Sequence, residues 1–121
     1  MLLDSNLLIY AAKPEYRHLL DFMQGQPISV SAISKVEVLG YPLLTNEERR
    51  CFEGFFREFV VLPISDEIID AAIGLRQQRK MPLGDSIVAA TALCHGLTLV
   101  TRNVQDFSGI EGLRLLNPVD R

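Results

Sequence analysis

The chain has 121 residues, 48% of them hydrophobic and 22% charged, with a formal net charge of −3 and a sequence pI near 5.3. These values suit one soluble globular domain, residues 1–121, that buries about two-thirds of its unfolded surface. They exclude a membrane-spanning helix, which needs about 20 apolar residues in succession, and they weigh against a protein that grips nucleic acid mainly through a basic surface.

The elements follow in chain order. Met1-Leu2-Leu3 reads as a short buried strand. With no basic n-region and an early acid, this start is not that of a signal peptide. Residues 5–12 read as a first helix. Pro14 suits the first turn of a second, over residues 15–23, because its missing N–H is not needed there. Gly25-Gln26-Pro27 ends it. Residues 28–30 predict a second strand, and Ser31 or Ala32 starts a third helix that stops at Tyr41-Pro42.

Thr45 with Glu48 three residues on is a capping box. The helix it starts carries Cys51, Phe52, Phe55, Phe56 and Phe59 at spacings that predict a core-facing stripe first and a groove for a partner second. Residues 60–62 read as the third strand. Ser65 caps the next helix, with Asp66 and Glu67 in its first turn and Arg76, Arg79 and Lys80 in its last. Met81-Pro82-Leu83-Gly84 reads as a break, with Asp85 heading a helix to His95. A strand over residues 97–100 and a last one near residues 113–116 complete the chain. Short apolar strands alternating with helices predict an α/β layer fold with a mainly parallel sheet, whose ligands bind beyond the carboxyl ends of the strands.

Neither Cys51 and Cys94 nor His18 and His95 have metal-ligand spacing. The cysteines are expected reduced and mostly buried, as in a cytosolic protein. His95, before Gly96, suits a helix C-terminus.

Four acids stand out, each embedded in apolar sequence: Asp4, Glu37, Asp85 and Asp106. Such carboxylates are costly unless paired, hydrogen-bonded or bound to a metal. Asp4 and Asp85 each have a simpler reading as helix caps, and Asp106 as a turn residue before Ser108-Gly109. Glu37 is expected on the apolar face of its helix, near Ile33, Val36 and Gly40, with Lys35 on the other side. If the four converge, Mg²⁺ or Mn²⁺ is the natural partner, since both prefer oxygen ligands.

Taken together, Leu2-Leu3-Asp4-Ser5-Asn6, Ser31-Ala32-Ile33-Ser34-Lys35-Val36-Glu37, Leu83-Gly84-Asp85-Ser86-Ile87-Val88-Ala89-Ala90-Thr91-Ala92, Leu99-Val100-Thr101-Arg102-Asn103-Val104-Gln105-Asp106-Phe107 and Gly112-Leu113-Arg114-Leu115-Leu116-Asn117-Pro118 give the chain a family likeness over nearly its whole length. It resembles the PIN-domain ribonucleases of the VapC toxin type. The resemblance implies a PIN-like three-layer α/β/α sandwich and a metal-dependent endoribonuclease with Mg²⁺ or Mn²⁺ as cofactor. Its products from single-stranded RNA segments would carry 5′-phosphate and 3′-hydroxyl ends. By position, Asp4, Glu37 and Asp85 match the family's first three catalytic and metal-binding acids. At the fourth place either Asn103 or Asp106 completes the set.

The resemblance also implies that Asn6 and Thr101 orient the ligands, that an antitoxin protein is the partner, and that the chain is a cytoplasmic homodimer. Arg76, Arg79 and Lys80 are candidates to guide an RNA backbone towards the acids; their simpler reading is helix C-terminal charge. The alternatives are a catalytically silent PIN-like interaction module and a stand-alone PIN nuclease without an antitoxin. A haloacid-dehalogenase phosphatase is disfavoured, because Asn6 stands where that class needs a second Asp.

Overall fold

The computed structural model of this protein describes residues 1–118. Five strands, β1 (Leu2–Leu3), β2 (Ser29–Ser31), β3 (Val60–Leu62), β4 (Leu99–Val100) and β5 (Leu115–Leu116), form one sheet in the order β3-β2-β1-β4-β5. Every pairing is parallel, with Leu2 opposite Ser29 and Leu99, and Leu3 opposite Val30 and Val100. The expected layer fold is therefore present, with a wholly parallel sheet among the described residues.

Strand side chains alternate between faces, and here that alternation builds two cores. Leu2 and Leu99 join Ile68, Leu75, Val88 and Phe107 on one side. Leu3, Val30 and Val100 join Leu7, Leu8, Val38, Phe52 and Phe56 on the other. The first core is roofed by α5 (Asp66–Gln78), α6 (Leu83–His95) and α7 (Val104–Phe107). The second is roofed by α1 (Ser5–Ala11), α2 (Arg17–Met23), α3 (Ala32–Leu39) and α4 (Asn46–Glu58).

Several boundaries differ from expectation for local reasons. Pro14 opens a separate 3₁₀ turn, Pro14–Tyr16, before α2. Ser31 closes β2 and also caps α3, its Oγ accepting the Ile33 N–H at 3.2 Å. α3 ends at Gly40, short of Tyr41-Pro42. Met81-Pro82-Leu83-Gly84 is only partly a break: Pro82 is the N-cap, and α6 begins at Leu83. Gly84 and Asp85 thus lie inside the first turn, and Asp85 does not cap it. Gly96, at φ +63°, closes α6 directly after His95. Both cysteines are free, but only half-buried.

The capping box of α4 forms in both directions: Thr45 Oγ1 accepts the Glu48 N–H, and Glu48 accepts the Thr45 N–H. On the α4 stripe Phe52 and Phe56 are buried, whereas Phe55 and Phe59 are half-buried and stack at 5.7 Å. The stripe is therefore core first, and of its phenylalanines only the half-buried pair retains surface for a partner.

Phe52→Ala is expected to cost about 3–5 kcal/mol of folding stability. Phe55→Ala should cost clearly less. Urea unfolding of both variants is the check, and equal losses would contradict the assigned burial.

Candidate active site

The centre of the candidate site follows from topology. β1 is the middle strand, and the residue that leaves its carboxyl end is Asp4. On either side α3 springs from the end of β2, and Thr101 follows β4. Asp4 occupies the N-cap position of α1, but its side chain does not make the usual capping bond to an N–H further into the helix. It is 4% exposed, and Thr101 Oγ1 donates to its Oδ2 at 2.9 Å. The same Thr101 oxygen accepts the Asn103 N–H at 3.0 Å. One buried hydroxyl thus ties Asp4 to the segment leading into α7.

Glu37 departs from expectation. With Lys35 and Val36 it is exposed, and α3 buries Ser34 and Val38 instead. Its carboxylate is nevertheless held. Ser5 Oγ, buried on the first turn of α1, donates to Glu37 Oε1 at 2.8 Å and stands 2.8 Å from Ser34 Oγ. A hydroxyl has one proton, so with Ser5 donating to Glu37, Ser34 must donate to Ser5. On its other side Glu37 lies over Gly84. A Cβ at that glycine would overlap Oε2 and approach Cδ to 3.0 Å. Ser5, Ser34 and Gly84 were not singled out in the sequence. Their one sequence signal is adjacency: Ser5 follows Asp4, Ser34 lies one helical turn before Glu37, and Gly84 precedes Asp85.

Asp85 is half-buried on α6, and Asp106 is exposed on α7. Burial raises the Asp85 carboxyl to about 6, with the charges of Asp4, Asp106 and Glu37 adding to the effect. Asp4 is also pushed above its ordinary value, first by burial. Its hydrogen bonds from Thr101 and the Ser5 backbone oppose this, while Glu37 and Asp106 reinforce it. Asp4 and Asp85 therefore each lie in the fields of Glu37 and Asp106, and Asp85 also in that of Asp4. Asp106 adds its charge to the fields at both Asp4 and Asp85.

No cation is among the groups that set either carboxyl. An all-oxygen, strongly anionic donor set fits Mg²⁺ or Mn²⁺ in its chemistry. In its geometry it is incomplete: among the described residues no three His, Cys, Asp or Glu side chains are arranged to hold an ion. Binding would require side-chain rotation, for which the exposed Glu37 and Asp106 have room.

The remaining expected residues are more dispersed. Asn6 is exposed on α1, and Asn103 is the exposed N-cap of α7 without a side-chain capping bond. Arg76 Nε donates to the Met81 carbonyl at 3.3 Å, and Lys80 is exposed. The Arg79 guanidinium donates to the carbonyls of Ser108 and Asp106.

The family model described as PIN domain matches residues 1–113. The chain belongs to the PIN-domain family. This PIN domain is 35% identical over 98 residues to Ribonuclease VapC1 of Rickettsia felis, a match covering 72% of this chain and 73% of that protein, which makes it one of the VapC type. Its fold is similar to that in a toxin-antitoxin complex from Klebsiella pneumoniae, with a TM-score of 0.78, 31% identity and coverage of 97% and 96% of the two chains. It is also similar to VapBC2 from Rickettsia felis bound to a promoter DNA fragment, with a TM-score of 0.80 and coverage of 96% of each chain; at 21% identity this second likeness shows the fold alone. No helix among the described residues is long and apolar enough to cross a membrane.

Two outcomes follow from this geometry. Gly84→Ala places a methyl group where the Glu37 carboxylate lies, yet alanine is the better helix former by up to about 1 kcal/mol. Its thermal midpoint should hold or rise while divalent-cation affinity, read by titration calorimetry, falls about fivefold or more; unchanged affinity would show that Glu37 acts without this seat. The second concerns pH. The folded-state carboxyl of Asp85 is raised from 3.8 to about 6, so the folded protein binds the extra proton across that interval. In EDTA, stability should therefore be greatest below that window and fall as pH rises through it. Asp85→Asn should flatten the trend in denaturant titrations, and a stability that rises with pH in the wild type would contradict the assigned electrostatics.

Proposed function

We propose that this PIN domain is an endoribonuclease dependent on Mg²⁺ or Mn²⁺, and that it is the toxin of a type II toxin–antitoxin pair. The observation that carries the reading is that Asp4 and Asp85, beyond the carboxyl end of a parallel sheet, each lie in the fields of Glu37 and Asp106, with no cation among the groups that set either carboxyl. When bound, a divalent ion would supply Lewis acidity and a water of lowered pKa for attack on a phosphodiester. The relatives named a ribonuclease and a toxin-antitoxin complex support the substrate class and the partner.

Each side chain has its part in that reading. Asp4, fixed by Thr101, is the rigid anchor of the cation site. Asp85 contributes a carboxylate whose protonation competes with the cation near its pKa of about 6. Glu37 and Asp106 close the site from the exposed rim. Asn6 and Asn103, at the mouth, orient water or substrate by hydrogen bonding. Lys80 and Arg76, at the end of α5, draw the RNA backbone towards the acids. Single-stranded segments suit an open edge that exposes two of its four acids, and attack of water on phosphorus with cleavage of the P–O3′ bond and protonation of the departing O3′ would leave a 5′-phosphate and a 3′-hydroxyl.

The partner in this reading is an antitoxin that covers the acids in the cytoplasm, with a basic side chain replacing the charge of the cation. The half-buried pair Phe55 and Phe59 and the exposed Val36 and Leu83 offer apolar surface on α4 and around Glu37 and Asp85. A homodimer belongs to the same reading. Ile69 and Ile73, 44% and 51% exposed one turn apart on α5, are apolar surface that a second copy would cover.

The test is RNA cleavage by purified Asp85→Asn protein. It should fold, be at least as stable as the wild type without metal, and lose at least about 100-fold in rate. Near-normal metal-dependent cleavage would sink the role of Asp85, while a wild type that folds but neither binds Mn²⁺ nor cuts RNA would favour a silent interaction module. Co-expression with the product of the adjacent gene completes the experiment. Co-purification with inhibition supports the toxin reading, and absence of inhibition leaves a stand-alone nuclease.

A further inference from the structure

We propose that Arg79 is a positioning residue for Asp106: its guanidinium, bonded to the Asp106 and Ser108 carbonyls, fixes the short helix α7 against the acidic edge. This rests on the nuclease reading only in taking Asp106 as part of the cation site.

α7 needs such a device. It is four residues long, Asn103 gives it no side-chain cap, and so short a helix has little stability of its own. It also carries a carboxylate into the fields of Asp4 and Asp85, whose like charges push it outward. Against this stand three tethers. Phe107, 1% exposed, is sunk in the first core. The Asn103 N–H is bonded to Thr101 at the start of the helix. At its far end Arg79 closes the fork, with Nη1 2.6 Å from the Ser108 oxygen and Nη2 3.1 Å from the Asp106 oxygen.

The chemistry of the fork matters. The terminal carbonyls of a helix lack intrahelical partners and carry partial negative charge, so a cation with two donors satisfies both needs. A guanidinium reaches two carbonyls at once, which a lysine ammonium on a flexible stem does not do with the same geometry. Arg79 is placed for this because it is the C-cap of α5, where the chain becomes extended at φ −154° and ψ 154°. α5 is thereby bonded across the first core to the element that carries Asp106. In this proposal Arg79 acts inside the protein rather than on the RNA backbone.

The experiment uses the full chain with Arg79→Gln, Arg79→Lys and Asp106→Asn, singly and with Arg79→Gln and Asp106→Asn combined. Amide hydrogen exchange should accelerate about tenfold over residues 104–108 in both Arg79 variants, with the body of α5 unchanged, because each loses a charge-assisted bidentate pair. Mn²⁺ affinity, measured without RNA, should fall about fivefold in each Arg79 variant. In the Asp106→Asn background, Arg79→Gln should change it less than about twofold, since coupled residues share one loss. Unchanged exchange overturns the proposal, as does a full further loss of affinity in the Asp106→Asn background. An RNA-contact role would instead leave exchange and Mn²⁺ affinity intact while lowering the salt dependence of RNA binding, and that too overturns it. If the wild type binds no Mn²⁺, the nuclease reading fails while exchange still decides whether Arg79 holds α7.

Discussion

The molecule is organised around one carboxylate taken out of water. Asp4 ends the central strand, and its burial is the largest influence raising its pKa. Two hydrogen bonds, from Thr101 and the Ser5 backbone, favour its charged form, but Glu37 and Asp106 work against them. Burial of an acid beside other acids is a standing cost. It persists because β1, β2 and β4 bring their carboxyl ends to the same edge, each beginning its next segment there.

Around that centre the acids are held in two ways. Asp4 and Asp85 draw their positions from regular backbone, at the end of β1 and in the first turn of α6. Glu37 and Asp106 are exposed and depend on neighbours. Glu37 has Ser5 and the bare face of Gly84; the helix of Asp106 is tied at its start by the Asn103–Thr101 bond and at its far end by Arg79. Thr101 belongs to both groups, because its single hydroxyl donates to Asp4 and accepts from Asn103. The orientation of the buried anchor and the path of the rim segment are therefore linked through one oxygen atom.

Much of the fold was legible in the sequence because the signals were local. The capping box at Thr45 and Glu48, the Ser65 cap and the Gly96 stop are patterns within one helical turn, and all three appear in the structure. Short apolar runs placed five strands, although the ends of most moved by one or two residues. The misreadings came from tertiary context. Glu37 lies among apolar letters, but burial of α3 falls on Ser34 and Val38, so the wheel that put it inside was rotated. Gly84 looked like a loop residue because glycine is a poor helix former; here it sits in α6 against a carboxylate that leaves no space for a side chain. Arg79 looked like surface charge, and only the fold brings it to α7. The acids themselves were found through family likeness and through the mismatch between charge and surroundings. Their serine and arginine supports carry no comparable mismatch.

The lengths of the connections add a consequence of another kind. Segments leaving the carboxyl ends of strands are short: Asp4 alone separates β1 from α1, nothing separates β2 from α3, and three residues, 101–103, separate β4 from α7. Segments feeding the strands from the opposite edge include longer ones, residues 24–28 before β2 and 108–114 before β5. Added length is thus better tolerated in the connections on the side away from the carboxylates. Such a chain can change its outline there, and the surfaces other molecules read, without altering the spacing of its charged centre.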